Sequence, residues 1–342
     1  MKNLIFVFII YCIPGNILSE NILTLQLIYY ATSQEKYITD TRAIKNPNIT
    51  GALFQIIWSR VERENGKYDF SELDNWMKPW HDAGKKTALR IMWITSGYWA
   101  DPWCKHPTPD WVWKEGAVKA YHNESKTEIP LIWDPVYKKY AFRFMKKLTE
   151  KYNSNSSIIF IDITPGAETN PFRFGTILRH NPDFADIFKK LPASNGYVYS
   201  KILWGNTVRE YINTAVLIFT DTKLLVTLNA GGFREDGNRL EEFGNYCADK
   251  GLLTGQNGIK GSSYSKDSPV KNLFLKWSIR CGTFFEMHSP TDVPGQGTLA
   301  EVFAAAKRVN ASYLNIYPQD VLKATAGTEV FNAEYEKVMA QR

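Results

Sequence analysis

The sequence predicts an α/β fold, a (β/α)8 TIM barrel formed as a single domain over residues 20–342. Three observations carry this. Past residue 19 the chain holds eight extended apolar runs. The stretches between most of them repeat apolar residues at helical spacing. Glycine marks the passage from helix to strand in Ala83-Gly84-Lys85 and Asp249-Lys250-Gly251, where a left-handed C-terminal cap belongs. Strands that are apolar throughout, each followed by a helix with one apolar stripe, make a parallel sheet covered by helices. Eight such units point to closure, and about 250 residues or more suffice for one barrel.

Taken in order, the strands are expected at Thr24–Tyr30, Ala52–Trp58, Lys86–Trp93, Ile158–Ile163, Lys223–Leu228, Leu252–Gly255, Gly282–Phe285 and Ser312–Tyr317. The first has no convincing helix behind it in Ala31–Thr50. After the second, Gly66 makes a turn and Ser71 is expected to cap a helix striped by Phe70, Leu73, Trp76, Met77 and Trp80. Tyr137, Ala141, Phe144 and Leu148 follow the third strand, and Ile202, Val208, Ile212 and Ala215 the fourth. Leu240, Phe243 and Cys247 follow the fifth, and Val270, Leu273, Phe274, Trp277 and Cys281 the sixth. Leu299, Val302, Phe303, Ala306 and Val309 follow the seventh, and Phe331, Tyr335 and Val338 supply the last helix. Two connections exceed ordinary loop length, Ile94–Pro135 and Glu168–Asn195. Such βα loops lie on the C-terminal face, where barrels build their sites.

At the N-terminus, Met1-Lys2-Asn3, an apolar run from Leu4 to Ile13, then Pro14, Gly15 and Ser19 have the layout of a secretory signal peptide. Residues 1–19 are therefore set apart from the fold, and the mature chain is expected to be secreted, extracellular or periplasmic. The run is shorter than the roughly 18 to 20 residues that span a bilayer, so no membrane association is expected after signal removal. Asn48-Ile-Thr50, Asn123-Glu-Ser125, Asn155-Ser-Ser157 and Asn310-Ala-Ser312 match the glycosylation sequon, which matters only where the host glycosylates exported proteins. Once Cys12 leaves with the signal, Cys104, Cys247 and Cys281 remain. They leave room for one disulfide at most and lack metal-ligand spacing, and Cys247 and Cys281 read as buried free thiols.

The net charge of +6 is spread among interspersed charges of both signs, unlike the clustered basic face that phosphate neutralisation needs. No nucleic acid partner is expected, and nothing in the chain sets an oligomeric state. The 11 Trp, 18 Tyr and 19 Phe, many of them in polar or loop segments, suit the apolar faces of sugar rings.

Two acidic residues fall just past predicted strands: Glu168 in Ile158-Ile-Phe-Ile-Asp-Ile-Thr-Pro-Gly-Ala-Glu168, and Glu286 in Gly282-Thr-Phe-Phe-Glu286. These are the fourth and seventh strands of the expected barrel, and paired carboxylates at such strand ends are the working parts of glycoside hydrolysis. The stretch Trp58-Ser-Arg-Val-Glu62-Arg-Glu-Asn-Gly66-Lys-Tyr68-Asp69-Phe70-Ser71-Glu-Leu73-Asp74, followed by Ala83-Gly84-Lys-Lys-Thr-Ala-Leu-Arg90, resembles the segment from second to third strand in clan A glycoside hydrolases, particularly the family 42 β-galactosidases. The resemblance implies an acid/base after strand four and a nucleophile after strand seven, the places of Glu168 and Glu286. Two positions differ: Ala167 stands where the clan usually has an Asn that binds the sugar 2-hydroxyl, and Arg63 where a Pro usually follows. Pro165-Gly-Ala-Glu168 also resembles the acid-bearing turn of β-amylases, which are inverting barrel enzymes.

Glycosidic cleavage needs one carboxylic acid to protonate the leaving oxygen and one carboxylate to attack, or to activate water, from the opposite face. Glu168 is the expected acid, and Glu286 the nucleophile, or the base if the enzyme inverts. Polar residues at other strand ends are candidates for holding sugar: Arg90, Asn229, Gln256, Asn257, His288 and Tyr317. Trp58, Trp93 and Trp99 are candidates for stacking on it. The histidines are scattered and no phosphate cradle or Gly-x-Ser-x-Gly turn occurs, so no catalytic metal and no cofactor are expected. A retaining β-glycosidase acting on an oligo- or polysaccharide leads. An inverting hydrolase and a non-catalytic carbohydrate-binding barrel stand as alternatives.

Overall fold

The computed structural model describes residues 25–95, 106–173, 177–228, 239–322 and 327–341. Eight parallel strands close into a barrel: β1 (Gln26–Tyr29), β2 (Ile49–Ile57), β3 (Lys86–Met92), β4 (Ile158–Asp162), β5 (Leu224–Thr227), β6 (Leu253–Ile259), β7 (Thr283–Met287) and β8 (Tyr313–Ile316). Each strand pairs with the next, and β8 returns to β1 through Gln26 opposite Tyr313. All eight lie where the apolar runs place them. The sixth and seventh extend further, to Ile259 and Met287.

Side chains along a strand point alternately to its two faces, and here both faces are buried. Ile28, Leu53, Ala88, Phe160, Leu225, Leu253 and Phe284, one from each of β1 to β7, form a cluster of their own with Tyr313 of β8 packed on it. This is a layer of the barrel interior. The alternate residues, among them Leu27, Phe54, Leu89, Ile161, Val226, Phe285 and Leu314, belong to the larger core between strands and helices. Two residues beyond each interior position come Tyr30, Gln55, Arg90, Asp162, Thr227, Gly255, Glu286 and Asn315. By period 2 these face inward again, so an almost wholly polar layer lies above an apolar floor.

The helix behind β2 spans Ser71–Asp82 and buries Leu73, Met77 and Trp80. Its N-cap position is Phe70 rather than Ser71 and carries no side-chain cap; the Ser71 N–H donates instead to Asp69 Oδ1 at 2.9 Å. Ser71 already has its place in the first turn, and the carboxylate two residues earlier reaches the free amide. Ser200, Ser268 and Thr298 cap the helices Lys201–Ile218, Pro269–Arg280 and Leu299–Arg308. Gly84 and Gly251 end their helices at φ +72° and +75°. Behind β1 stand only the single turns Ala31–Ser33 and Glu35–Tyr37 and the short helix Thr41–Lys45.

The long connection after β3 carries a helix at Asp110–Lys114 and an antiparallel hairpin, Lys119–His122 with Thr127–Pro130. The one after β4 carries helices at Ile177–His180 and Phe184–Lys190. The last helix, Gly327–Ala340, packs Phe331 against Phe303 with ring centroids 5.7 Å apart. Its Tyr335 hydroxyl donates to the Leu25 carbonyl at 2.6 Å, tying the end of the chain to the start of β1. Cys247 is buried and Cys281 partly buried, both free. Cys104 and the expected leader lie outside the described residues. Among the described residues no helix is long and apolar enough to cross a membrane.

Candidate active site

Glu168 ends a turn that the backbone does not adopt readily. Gly166 is at φ +73°, and Glu168 and Thr169 follow at +52° and +55°. Two consecutive non-glycine residues in the left-handed region are costly and persist only where the surroundings enforce them. Ala167 and Asn170 close the turn through paired backbone bonds of 3.3 and 2.9 Å. The indole of buried Trp204 donates to the Thr169 carbonyl at 3.0 Å. A Cβ on Gly166 would stand 3.0 Å from the Asn170 carbonyl oxygen and 3.3 Å from the Trp204 ring. Held this way, Glu168 is 2% exposed, and its Oε1 accepts from the Asn257 backbone N–H at 2.7 Å. Its carboxylate also forms an ion pair with Arg173.

Glu286 lies inside β7, in the polar layer two residues beyond Phe284. Its Oε2 accepts from Arg90 Nη1 at 2.7 Å and from Asn315 Nδ2 at 3.1 Å. Arg90 in turn donates through Nε to Asp162 Oδ2 at 2.8 Å. Burial works against the charge on Arg90, but Glu286 and Asp162 outweigh it and raise its pKa. Burial lowers the pKa of Arg173 while Glu286 pulls the other way. Arg173 therefore touches one glutamate and feels the field of the other. The two glutamates are joined through a single residue as well, since Asn257, whose amide holds Glu168, is the cross-strand partner of Glu286 in the β6–β7 register.

Both glutamates line one cavity of about 450 Å³ at the C-terminal mouth of the barrel, together with Tyr30, Gln55, Arg90, Asp162, Thr164, Arg173, Thr227, Asn257 and Tyr317. Of the residues expected to hold sugar, Arg90, Asn257 and Tyr317 are in this wall. Trp93 contributes to the wall, but its ring is 1% exposed and packs on Trp58, Phe144 and Tyr211. It is core rather than a stacking platform.

Trp58 is not a sugar platform either. It is fully buried among Trp93, Trp111, Tyr137 and Phe144, and its indole donates to Glu62 Oε2 at 2.8 Å. Glu62, itself fully buried, also accepts from the Gly66 amide at 2.8 Å and pairs with Arg143. The Trp58–Glu62–Gly66 pattern is thus a packing unit behind Trp93, outside the cavity wall. Gln256 lies outside the cavity wall because strand alternation turns it toward the helices, where it accepts from the Tyr264 hydroxyl. His288 is exposed, lies outside the wall and meets Ser289. Trp99 and Asn229 lie outside the described residues.

Sequence reasoning missed Asp162, Asn315, Gln55, Tyr30 and Arg173. For the first four a signal exists: each is two residues beyond an apolar interior position on its strand, so period-2 reading marks them. Arg173 sits in an irregular turn and carries no such signal. Among the described residues no three His, Cys, Asp or Glu side chains gather as a metal site would need.

Comparison with known proteins bears on the fold and on the first half of the chain. A family model described as beta-galactosidase, that of glycoside hydrolase family 42, matches residues 29–171. That segment runs from the last residue of β1 through β4 to Glu168 and stops before Glu286. The β-galactosidase BbgII of Bifidobacterium bifidum is 28% identical over 133 residues, 37% of this chain. The chain spans only 18% of that relative's length. Among solved structures, the catalytic domain of β-amylase from Paenibacillus polymyxa superposes with a TM-score of 0.62 at 10% identity, covering 92% of this chain and 98% of that one. A β-galactosidase from the psychrophilic Marinomonas ef1 gives 0.54 at 11% identity, covering 92% and 62%. At such identities the structures share the barrel fold, and the sequence resemblance is to the family 42 β-galactosidases.

Proposed function

We propose that this chain is a glycoside hydrolase that cleaves β-linked sugars by double displacement, with Glu168 as acid/base and Glu286 as nucleophile. The observation that carries the reading is the pair itself: two buried glutamates from β7 and the turn after β4, facing one cavity and linked through Asn257. A buried carboxylate is costly unless it is paired, and two of them in one polar cavity are what acid-assisted displacement at an acetal requires. Arg90 and Asn315 both donate to Oε2 of Glu286. These two bonds orient the carboxylate by holding one of its oxygens. Glu168 would protonate the leaving oxygen, then deprotonate the water that releases the sugar. Tyr317 and Asn257 would contact the sugar from the wall. The family match runs through residue 171 and so includes Glu168.

A second reading, inversion with Glu286 as the base that activates water, is favoured by one feature. Ala167 lines the cavity directly before Glu168 and offers no side-chain contact to a 2-hydroxyl. The apolar run behind Lys2 supports an exported protein, so the proposed substrate is an extracellular oligo- or polysaccharide.

Glu286→Gln and Glu168→Gln, assayed on nitrophenyl β-glycosides and on oligosaccharides, test the pair. Glu286→Gln is expected to lose turnover by about 10³-fold or more while still binding oligosaccharide. Glu168→Gln is expected to lose roughly 10²- to 10⁴-fold. Parental turnover in Glu286→Gln would remove Glu286 from the chemistry.

A further inference from the structure

Asp162 is a third carboxylate in the cavity wall, 1% exposed, and the proposed chemistry does not use it. Both of its oxygens are committed to the protein. Oδ2 accepts from Arg90 Nε at 2.8 Å, and Oδ1 accepts from the Thr164 amide at 3.1 Å and from the Thr164 hydroxyl. Arg90 is the cross-strand partner of Asp162 between β3 and β4, and its guanidinium reaches Glu286 with the next nitrogen of the fork, Nη1, at 2.7 Å. One cation thus spans two carboxylates in fixed geometry.

A single Arg–Glu pair would already neutralise Glu286. A second carboxylate on the same guanidinium therefore needs a reason beyond charge balance, because burying it is costly. We propose that Asp162 is a positioning residue: it fixes the Arg90 fork and shares its charge, so that Glu286 is aimed without being bound so tightly that its attack is quenched. This rests on the reading of Glu286 as the attacking or water-activating carboxylate. Among the described residues, the charged and titratable groups lining the cavity with Glu286 are Arg90 from β3, Asp162 from β4, Glu168 and Arg173 from the turn beyond it, and Tyr30 and Tyr317 from the ends of β1 and β8.

The near-isosteric Asp162→Asn removes the shared charge, leaving Arg90 to act on Glu286 alone. On a nitrophenyl β-glycoside, kcat is expected to fall about 10- to 100-fold with KM within about threefold. The acidic limb of kcat/KM is expected to move down by about one pH unit, since a negative neighbour is gone and the positive one is undivided. Glu286→Gln serves as the reference. If it is inactive and Asp162→Asn keeps parental kcat and limb, the inference falls and the glycosidase reading stands. A lower kcat with an unmoved limb would mark Asp162 as scaffold only, which also overturns the inference. Parental turnover in Glu286→Gln would end both. Should Asp162→Asn fail to fold, Asp162→Glu keeps the charge and moves it by one methylene. Its acidic limb is expected to stay near the parent's while kcat drops about tenfold, and a parental kcat there would overturn the positioning role.

Discussion

A guanidinium touching the carboxylate that must donate a proton favours the ionised form of that carboxylate. Arg173 stands in this relation to Glu168, the proposed acid/base, and Glu286 adds its own pull on the same guanidinium. Arg173→Met should therefore let Glu168 hold its proton to higher pH, moving the basic limb of kcat/KM upward by about one unit. A pH–rate profile of the variant checks this, and a limb that stays or moves down would show that Arg173 does not govern the acid. At this scale the two glutamates are legible in the sequence because each closes an apolar run. The tryptophans are not. Aromatic residues beside a strand end serve equally well as a sugar platform or as core, and only the ring contacts of Trp58 and Trp93 place both in the core.

The elements are held by close contacts that composition alone does not reveal. Helix Leu240–Asp249 meets helix Pro269–Arg280 where Gly244 faces the fully buried Trp277. A Cβ at Gly244 would stand 2.2 Å from the Trp277 ring. Alanine raises helix propensity by about 1 kcal/mol, but overpacking a core contact costs about 1 to 3 kcal/mol, so the clash outweighs the gain. Gly244→Ala is expected to lower the urea midpoint, corresponding to a net loss of about 1 kcal/mol, and a higher midpoint would contradict the packing. The strands, by contrast, are readable from sequence in place and order, since a strand buried on both faces is apolar over most of its length, although β2 begins at Ile49, before its apolar run, and β6 continues to Ile259, past its own. Their interior alternation, Phe160 then Asp162 or Phe284 then Glu286, is also present in the sequence. It is masked because the residues on the other face of each strand are apolar too.

Across the whole molecule the architecture is layered: an outer helix layer, a barrel wall, an apolar floor of seven strand residues with Tyr313, and the polar layer of the site above it. Buried phenols are part of the core, and burial raises the pKa of Tyr29, Tyr137 and Tyr211 above the ordinary value. Their neutral forms persist in the folded state, while the unfolded chain ionises near pH 10. The stability they confer is thus complete below about pH 10 and lost as pH rises beyond it. Alkaline titration should show a tyrosinate fraction that appears together with loss of circular dichroism rather than before it. Gradual ionisation of all tyrosines in the folded protein would contradict this burial.

In the proposed mechanism Glu286, held in the polar layer by Arg90 and Asn315, is the attacking carboxylate, and Glu168 serves the leaving group. Mechanism-based labelling tests that assignment most directly. The protein is incubated with 2-deoxy-2-fluoro-β-glycosyl fluorides of several sugars, digested, and its peptides weighed. The expected result is a single covalent glycosyl adduct on Glu286, formed as activity is lost. An adduct on any other carboxylate, or no adduct from any of these reagents in a protein that turns over nitrophenyl β-glycosides, would contradict Glu286 as the nucleophile.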